Sequence, residues 1–228
     1  MDTLILDNIS FEPDYDELAQ RLRVRPGRSS EKELIQLLDE ARQIARPKAI
    51  YRIGYIDAKT EDSVSIGDTI LTSRVLRVNL EATQRCFLYI ATCGRELHEW
   101  QHSISDMLAQ FYADTISNAA LQSARTALEE HLTESYNLGH TATMNPGSLE
   151  DWPLQAQIPL FKMLGNTQNT IGVELLDSLL MVPGQTVSGI RFETESSFAS
   201  CQLCPRESCP NRKAPYDAEL FDQKFAAQ

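Results

Sequence analysis

The sequence predicts an α+β protein, a largely antiparallel twisted sheet packed with one long helix and several shorter ones. Three observations lead there. Runs rich in β-branched and aromatic residues, YRIGYI (51–56), TILTSRVLRV (69–78) and CFLYIAT (86–92), follow one another across connections too short for helical crossovers. From about Arg95 to His131 the chain contains neither Pro nor Gly. Helical and strand patterns are mixed without the strict alternation of a parallel sheet.

The elements follow in order. Ser29 and Ser30 precede Glu31, and Leu34, Leu37, Leu38, Ala41 and Ile44 recur at helical spacing until Pro47, so 31–45 is a helix with one buried stripe. The three apolar runs are then neighbouring strands, the last punctuated by Gly94. Beyond it Leu97, Ile104, Leu108, Phe111, Thr115, Ala119 and Gln122 lie three, four or, at the first step, seven apart, one face of a very long helix or of two abutting ones. Gly139, Pro146, Gly147 and Pro153 mark an irregular loop in which Asp151-Trp152-Pro153 reads as an anchor with Trp152 buried. LQAQIPLFKML (154–164) is helical despite Pro159, kinked there or begun late, and TVSGIRF (186–192) alternates as a strand. With no internal repeat and no long linker, residues 1–228 are expected to form one domain with a Cys-rich loop at 200–213.

Thirty-two Asp and Glu against 21 Lys and Arg give a formal net charge of -11. Such a field repels phosphate backbones and anionic lipid, which excludes nucleic acid and membrane surfaces as partners. The start of the chain lacks the basic, then apolar pattern of a signal peptide, and no apolar run reaches a membrane span, so a cytoplasmic protein is expected.

Three of the five cysteines crowd together as Cys201-x2-Cys204-x4-Cys209, bracketed by Pro205 and Pro210. Three close thiolates suit zinc or an iron-sulfur cluster, with Cys93 at its strand end as the candidate fourth ligand; free thiols in a tail are the alternative. His98-Glu99-Trp100-Gln101-His102 satisfies the bare His-Glu-x-x-His pattern of zinc hydrolases, yet no third ligand is evident, and Leu97 with Trp100 can set this turn against the core. Arg206, Arg212 and Lys213 form a small basic island that reads first as solvated charge.

IGVELLDSLLMVPGQTVSGIRFE (171–193) resembles the reactivation domain of cobalamin-dependent methionine synthases, in a short stand-alone form. Gly172, Val173, Leu175, Ser178, Met181, Pro183, Val187, Ser188 and Gly189 match its Gly-Val-x-Leu-Thr-Glu-Ser, Met-x-Pro and Ser-Val-Ser-Gly pattern in order and spacing. MNPGSLEDWPLQAQIPLFKMLG occupies the place of the family's Arg-x-x-x-Gly-Tyr-Pro loop and the helix after it, and ATCGRELHEW followed by the long helix resembles the short stand-alone members. The likeness spans roughly residues 45–213 and implies S-adenosylmethionine as ligand and a cobalamin-bearing protein or methyltransferase module as partner. Its implied role is the remethylation of an oxidised corrinoid with an electron from a donor protein. With Gly147 on the family's loop glycine, the ligand-contacting Arg falls on Thr143 and the Tyr on Ser148, so both of those side chains are absent. The remaining contacts implied are the loop residues Asn145, Pro146 and Gly147, the strand residues Ser188 and Gly189, and Asp114 for the acidic residue of the long helix. The likeness also favours iron-sulfur over zinc at the cysteines, because a corrinoid activator needs an electron and the chain has no flavin or nucleotide motif. Three functions are thus carried forward: a corrinoid-protein activator, a non-catalytic docking module for a cobalamin protein, and, remotely, a zinc hydrolase.

Overall fold

A computed structural model of the chain describes residues 3–194, 199–206, 208–209 and 212–225; Pro210, expected to stiffen the cysteine loop, lies outside them. In chain order the elements are β1 (Leu4–Leu6), α1 (Tyr15–Arg21), α2 (Ser29–Ile44), β2 (Lys48–Tyr55), β3 (Ala58–Lys59), β4 (Ser63–Ile66), β5 (Thr69–Thr72), α3 (Arg74–Asn79) and β6 (Arg85–Thr92). They continue with α4 (Arg95–Ser103), α5 (Met107–Tyr136), β7 (Thr141–Met144), α6 (Gln157–Leu164), α7 (Thr167–Ile171), β8 (Glu174–Leu175), β9 (Met181–Val182) and β10 (Thr186–Glu193).

The main sheet has the order β1-β2-β6-β10-β7, and every neighbouring pair is antiparallel. Both of its faces are covered, which explains why central β6 reads as a continuous apolar run instead of alternating. Phe87, Tyr89, Ala91 and Cys93 point into a core shared with α2, α4 and α5. Cys86, Leu88 and Ile90 point into the opposite core, shared with α3, α6, α7 and a small sheet β3-β4-β5. The expected α+β class, antiparallel sheet and long helix are all present.

One expected element is built differently. The run TILTSRVLRV is a strand only to Thr72, and that strand belongs to the small sheet. Ser73 then caps a helix, its hydroxyl accepting from the Leu76 N–H at 3.0 Å. Asp151 closes the same helix end from the loop, accepting from the N–H groups of Arg74 (3.2 Å) and Val75 (3.0 Å) and from the Ser73 hydroxyl. A double cap outweighs the β preference of Val75 and Val78. Asp151 is therefore the anchor the loop composition suggested, and Trp152 beside it is fully buried.

The segment 95–136 is two helices, parted at Ile104–Asp106, where Asp106 caps α5 by accepting from the N–H groups of Leu108 and Ala109, both at 2.9 Å. The break shifts the phase, so the face extrapolated from Leu97 is only in part the buried one: Thr115 is buried and Ile104 and Ala119 pack against the core. Leu108 (48% exposed) and Phe111 (57%) face outward, while Ala109, Tyr112, Ile116, Ala120, Ala124 and Leu128 are buried. Pro159 falls in the first turn of α6, just after a 3-10 turn at Leu154–Ala156, where a missing N–H leaves no gap.

Candidate functional site

β10 forms the floor of the candidate site. Its side chains alternate, Val187, Gly189 and Arg191 toward α5, Ser188 and Ile190 toward α6. Edge strand β7 pairs with it so that Thr143 lies opposite Arg191 and Met144 opposite Ile190. At the end of β7 the chain turns back over the floor. The Asn145 amide donates to the Tyr89 hydroxyl at 2.9 Å and to the Ser188 carbonyl at 2.8 Å. Gly189 makes this approach possible, because a Cβ there would lie 2.5 Å from both Asn145 Nδ2 and the Met144 carbonyl oxygen. Gly147 continues the turn at φ +79°, a left-handed conformation that disfavours side chains, and donates its N–H to the Trp152 carbonyl at 2.8 Å.

Six of the residues picked from the sequence thus come together with Pro146 at one turn: Thr143, Asn145, Gly147, Ser148, Ser188 and Gly189. Their side chains mostly serve the turn itself. The Ser148 hydroxyl folds back on the Asn145 carbonyl at 2.5 Å, and Ser188 Oγ reaches Gln157 Oε1 on the opposite face at 3.4 Å. What the turn offers a ligand is therefore shape and backbone more than side-chain charge.

Asp114 stands apart from this turn. Its carboxylate accepts from Gln101 at 3.2 Å, from Gln185 at 2.5 Å and from Asn118 at 3.3 Å, tying α4 and α5 to the start of β10. A second link joins the same two elements farther along, where Arg191 donates to Glu129 at 2.8 Å and to the Thr141 hydroxyl at 2.7 Å. The helix rises about 22 Å between Asp114 and Glu129, and the strand about 20 Å between Gln185 and Arg191, so α5 runs alongside β10 with the turn between the two links. Arg191 was not among the residues singled out from the sequence. The strand alternation contained the signal, since it places Arg191 on the face of Gly189 two residues earlier.

The proposed metal ligands do not fit a metal. Among the described residues no three His, Cys, Asp or Glu side chains converge as a ligand set. Cys93 is fully buried in the core against α4 and α5, whereas Cys204 packs against the core on the other face of the sheet, so Cys93 is barred from the cysteine loop by the sheet itself. Burial pushes the thiols of Cys86 and Cys93 up to about 12, the reverse of what a thiolate ligand requires. Arg212 organises the loop instead, donating to the carbonyls of Cys201 (2.9 Å), Cys204 (3.1 Å) and Ala214 (3.2 Å) and to that of Arg206. Cys201 Sγ accepts from the Lys213 N–H at 3.3 Å, and Ser200 donates to the Thr143 carbonyl at 3.3 Å, which fastens the segment to the outer edge of β7. Part of the basic island is thus a structural clamp.

The His-Glu-x-x-His turn fails likewise. The rings of His98 and His102 lie 4.2 Å apart, tilted by 50°, the His102 Nδ1 is engaged with the His98 carbonyl at 2.7 Å, and Glu99 pairs with Arg95 at 3.1 Å. Burial foremost, then the fields of His102 and Arg95, hold His98 below its usual pKa, against the pull of Glu99. Leu97 on the same turn is fully buried, the core role expected of it.

No family model matches the chain, and no curated protein matches it. Among solved structures it is similar to the crystal structure of the MetH reactivation domain bound to AdoHcy, with a TM-score of 0.66 and 12% identity over 87% of this chain and 80% of that one. Agreement of this extent at so low an identity is agreement of backbone path, and by it the protein has the fold of the MetH reactivation domain.

Proposed function

We propose that the protein is an activation component for a corrinoid protein, serving a split methionine synthase or a related corrinoid methyltransferase in the cytoplasm. S-adenosylmethionine lies along the turn of Asn145, Pro146 and Gly147, on the α5 face over the backbone of Ser188 and Gly189, with Thr143 and Ser148 bordering it and Asp114 holding the start of the floor. The observation that carries this reading is the fold shared with a reactivation domain bound to AdoHcy, joined to a turn held over β10 by Asn145 where a glycine leaves room for it. The partner's cobalt supplies the redox chemistry: it accepts one electron from a donor protein, then takes the methyl group as the carbon–sulfur bond of the sulfonium breaks, leaving S-adenosylhomocysteine. The chain's own residues bind and orient. With no converging cysteine ligands among the described residues, the electron is taken to come from outside the chain.

Thr143 and Ser148 favour a second reading, a docking module that covers a cobalamin protein and has lost the small-molecule site. Calorimetric titration with S-adenosylmethionine and S-adenosylhomocysteine separates the two. Micromolar binding of either supports the activator; silence toward both, with the fold intact, leaves the docking module. If the activator is right, Thr143→Arg with Ser148→Tyr tightens binding by adding a charge-assisted contact.

A further inference from the structure

The three cysteines of the tail are not equivalent. Cys201 and Cys204 belong to one 3-10 turn, Ser200–Leu203 with Cys204 closing it, and the Cys204 N–H donates to the Cys201 carbonyl at 3.3 Å. Such a turn completes one revolution in three residues with a rise of about 2 Å each, so the two side chains stand on one side with Cα atoms about 6 Å apart. Disulfides span Cα separations of about 4.4–6.8 Å. Both thiols are free and partly exposed, and among the described residues no ligand set of three forms around them. Arg212 fixes the turn from outside the pair: its guanidinium donates to both carbonyls, at 2.9 Å to Cys201 and 3.1 Å to Cys204, so the backbone that carries the sulfurs is held by bonds that do not involve them. A separate donor addresses one sulfur, the Lys213 N–H at 3.3 Å from Cys201 Sγ. Cys204 packs instead against the core on the α6 face of the sheet. Cys209 is tied to the same arginine through its carbonyl, which accepts from the Arg212 N–H at 3.2 Å.

From this geometry we propose that Cys201 and Cys204 are a redox-active dithiol that exchanges with low-molecular-weight disulfides, Cys201 attacking and Cys204 resolving. In the first step the Cys201 sulfur, its proton given to water, attacks one sulfur of a disulfide RS–SR; that S–S bond breaks, one RS⁻ leaves, and a mixed disulfide Cys201–SR remains. In the second the Cys204 sulfur, likewise deprotonated, attacks the Cys201 sulfur and expels the other RS⁻. The protein loses two protons and two electrons, and the small disulfide gains both as two RSH. Excess RSH runs the same steps backward. The Lys213 N–H supports the charge that the Cys201 sulfur carries as it attacks and, in reverse, as it leaves. Cys204, packed against the core one turn away, closes the mixed disulfide from inside, ahead of a second small thiol from solvent. The couple sits beside the strand that leads into the turn after β7, since Ser200, next to Cys201, donates to the Thr143 carbonyl at 3.3 Å.

The full chain, reduced and then equilibrated without oxygen in glutathione buffers of rising oxidised share, is quenched in acid, alkylated and mapped by peptide mass. Cys201 and Cys204 are expected to leave the alkylated pool together, as one internal disulfide lighter by two hydrogens, while Cys86 and Cys93 remain thiols; dithiothreitol should return the pair. Cys204→Ser is expected to stop at the mixed disulfide, with one glutathione on Cys201. Cys201→Ser should lose both the internal disulfide and the rapid uptake of glutathione, and Cys209→Ser should leave the couple as it is. Circular dichroism checks that each variant keeps the sheet and helices. Any two thiols close in sequence pair to some extent, so the same titration in guanidinium chloride is the reference: the folded protein is expected to form the Cys201–Cys204 disulfide at a lower oxidised share than the unfolded chain. Equal midpoints in the two states, Cys209 pairing as often as Cys204, or mixed disulfides that accumulate without closing overturn the assignment.

Discussion

At the scale of single residues, the sheet decides what each side chain does. Cys86 and Cys93, seven positions apart on and just beyond β6, fall on opposite faces, and each is sealed in a core. Burial raises their thiols from the ordinary 9.0 to about 12. The unfolded chain loses these protons near 9 and the folded chain only near 12, so this contribution to stability is complete below pH 9 and is lost as pH rises across that window. At pH 8 a thiol reagent should titrate Cys201, Cys204 and Cys209, which are partly exposed, and reach Cys86 and Cys93 only in denaturant; rapid titration of all five in the native protein would show that β6 opens. Gly189 makes a sharper case. In Gly189→Ala the new methyl meets backbone at the Met144 carbonyl, which a flexible side chain cannot relieve, so a loss of about 1–3 kcal/mol is expected. Chemical denaturation measures it, and a cost near zero would mean that the turn of Asn145 does not lie on β10 in solution.

At the scale of elements, caps override local preference. Ser73 with Asp151 converts the second half of a β-rich run into α3, and Asp106 starts α5 in a phase that α4 does not transmit. Leu108 and Ile116 test that phase directly. Ile116 is wholly buried and Leu108 is 48% exposed; Ile116→Ala should cost about 2–5 kcal/mol, and Leu108→Ala no more than about 0.5 kcal/mol. The reverse order in denaturation midpoints would restore one continuous helix. The sequence pattern identified a helix here correctly, but a period of three to four residues carried across a three-residue break drifts, so Leu108 and Phe111 are exposed while Thr115 on the same face is buried.

At the scale of the whole molecule, the cysteine segment is a cover on the edge of the sheet. Strand edges left bare invite pairing with other chains, and here Ser200 takes up a carbonyl of β7 while Arg212 gathers the segment behind it. Arg212→Ala should expose residues 199–225 to limited proteolysis with little change in the melting of the core, as followed by circular dichroism; unchanged cleavage would show that the clamp is dispensable. The sequence by itself determined the fold class, the places of α2, β2, β6 and β10, the buried Trp152 and the residues that meet at the turn after β7. Each of these follows from local periodicity, turn chemistry or a run of ordered motifs. Only the tertiary structure decided that Cys93 is walled off from the cysteine loop, that α5 starts in its own phase, and that Arg191 lies opposite Thr143. These depend on which face of a sheet a residue occupies and on which strand lies beside it, relations set by pairing between segments far apart in the chain.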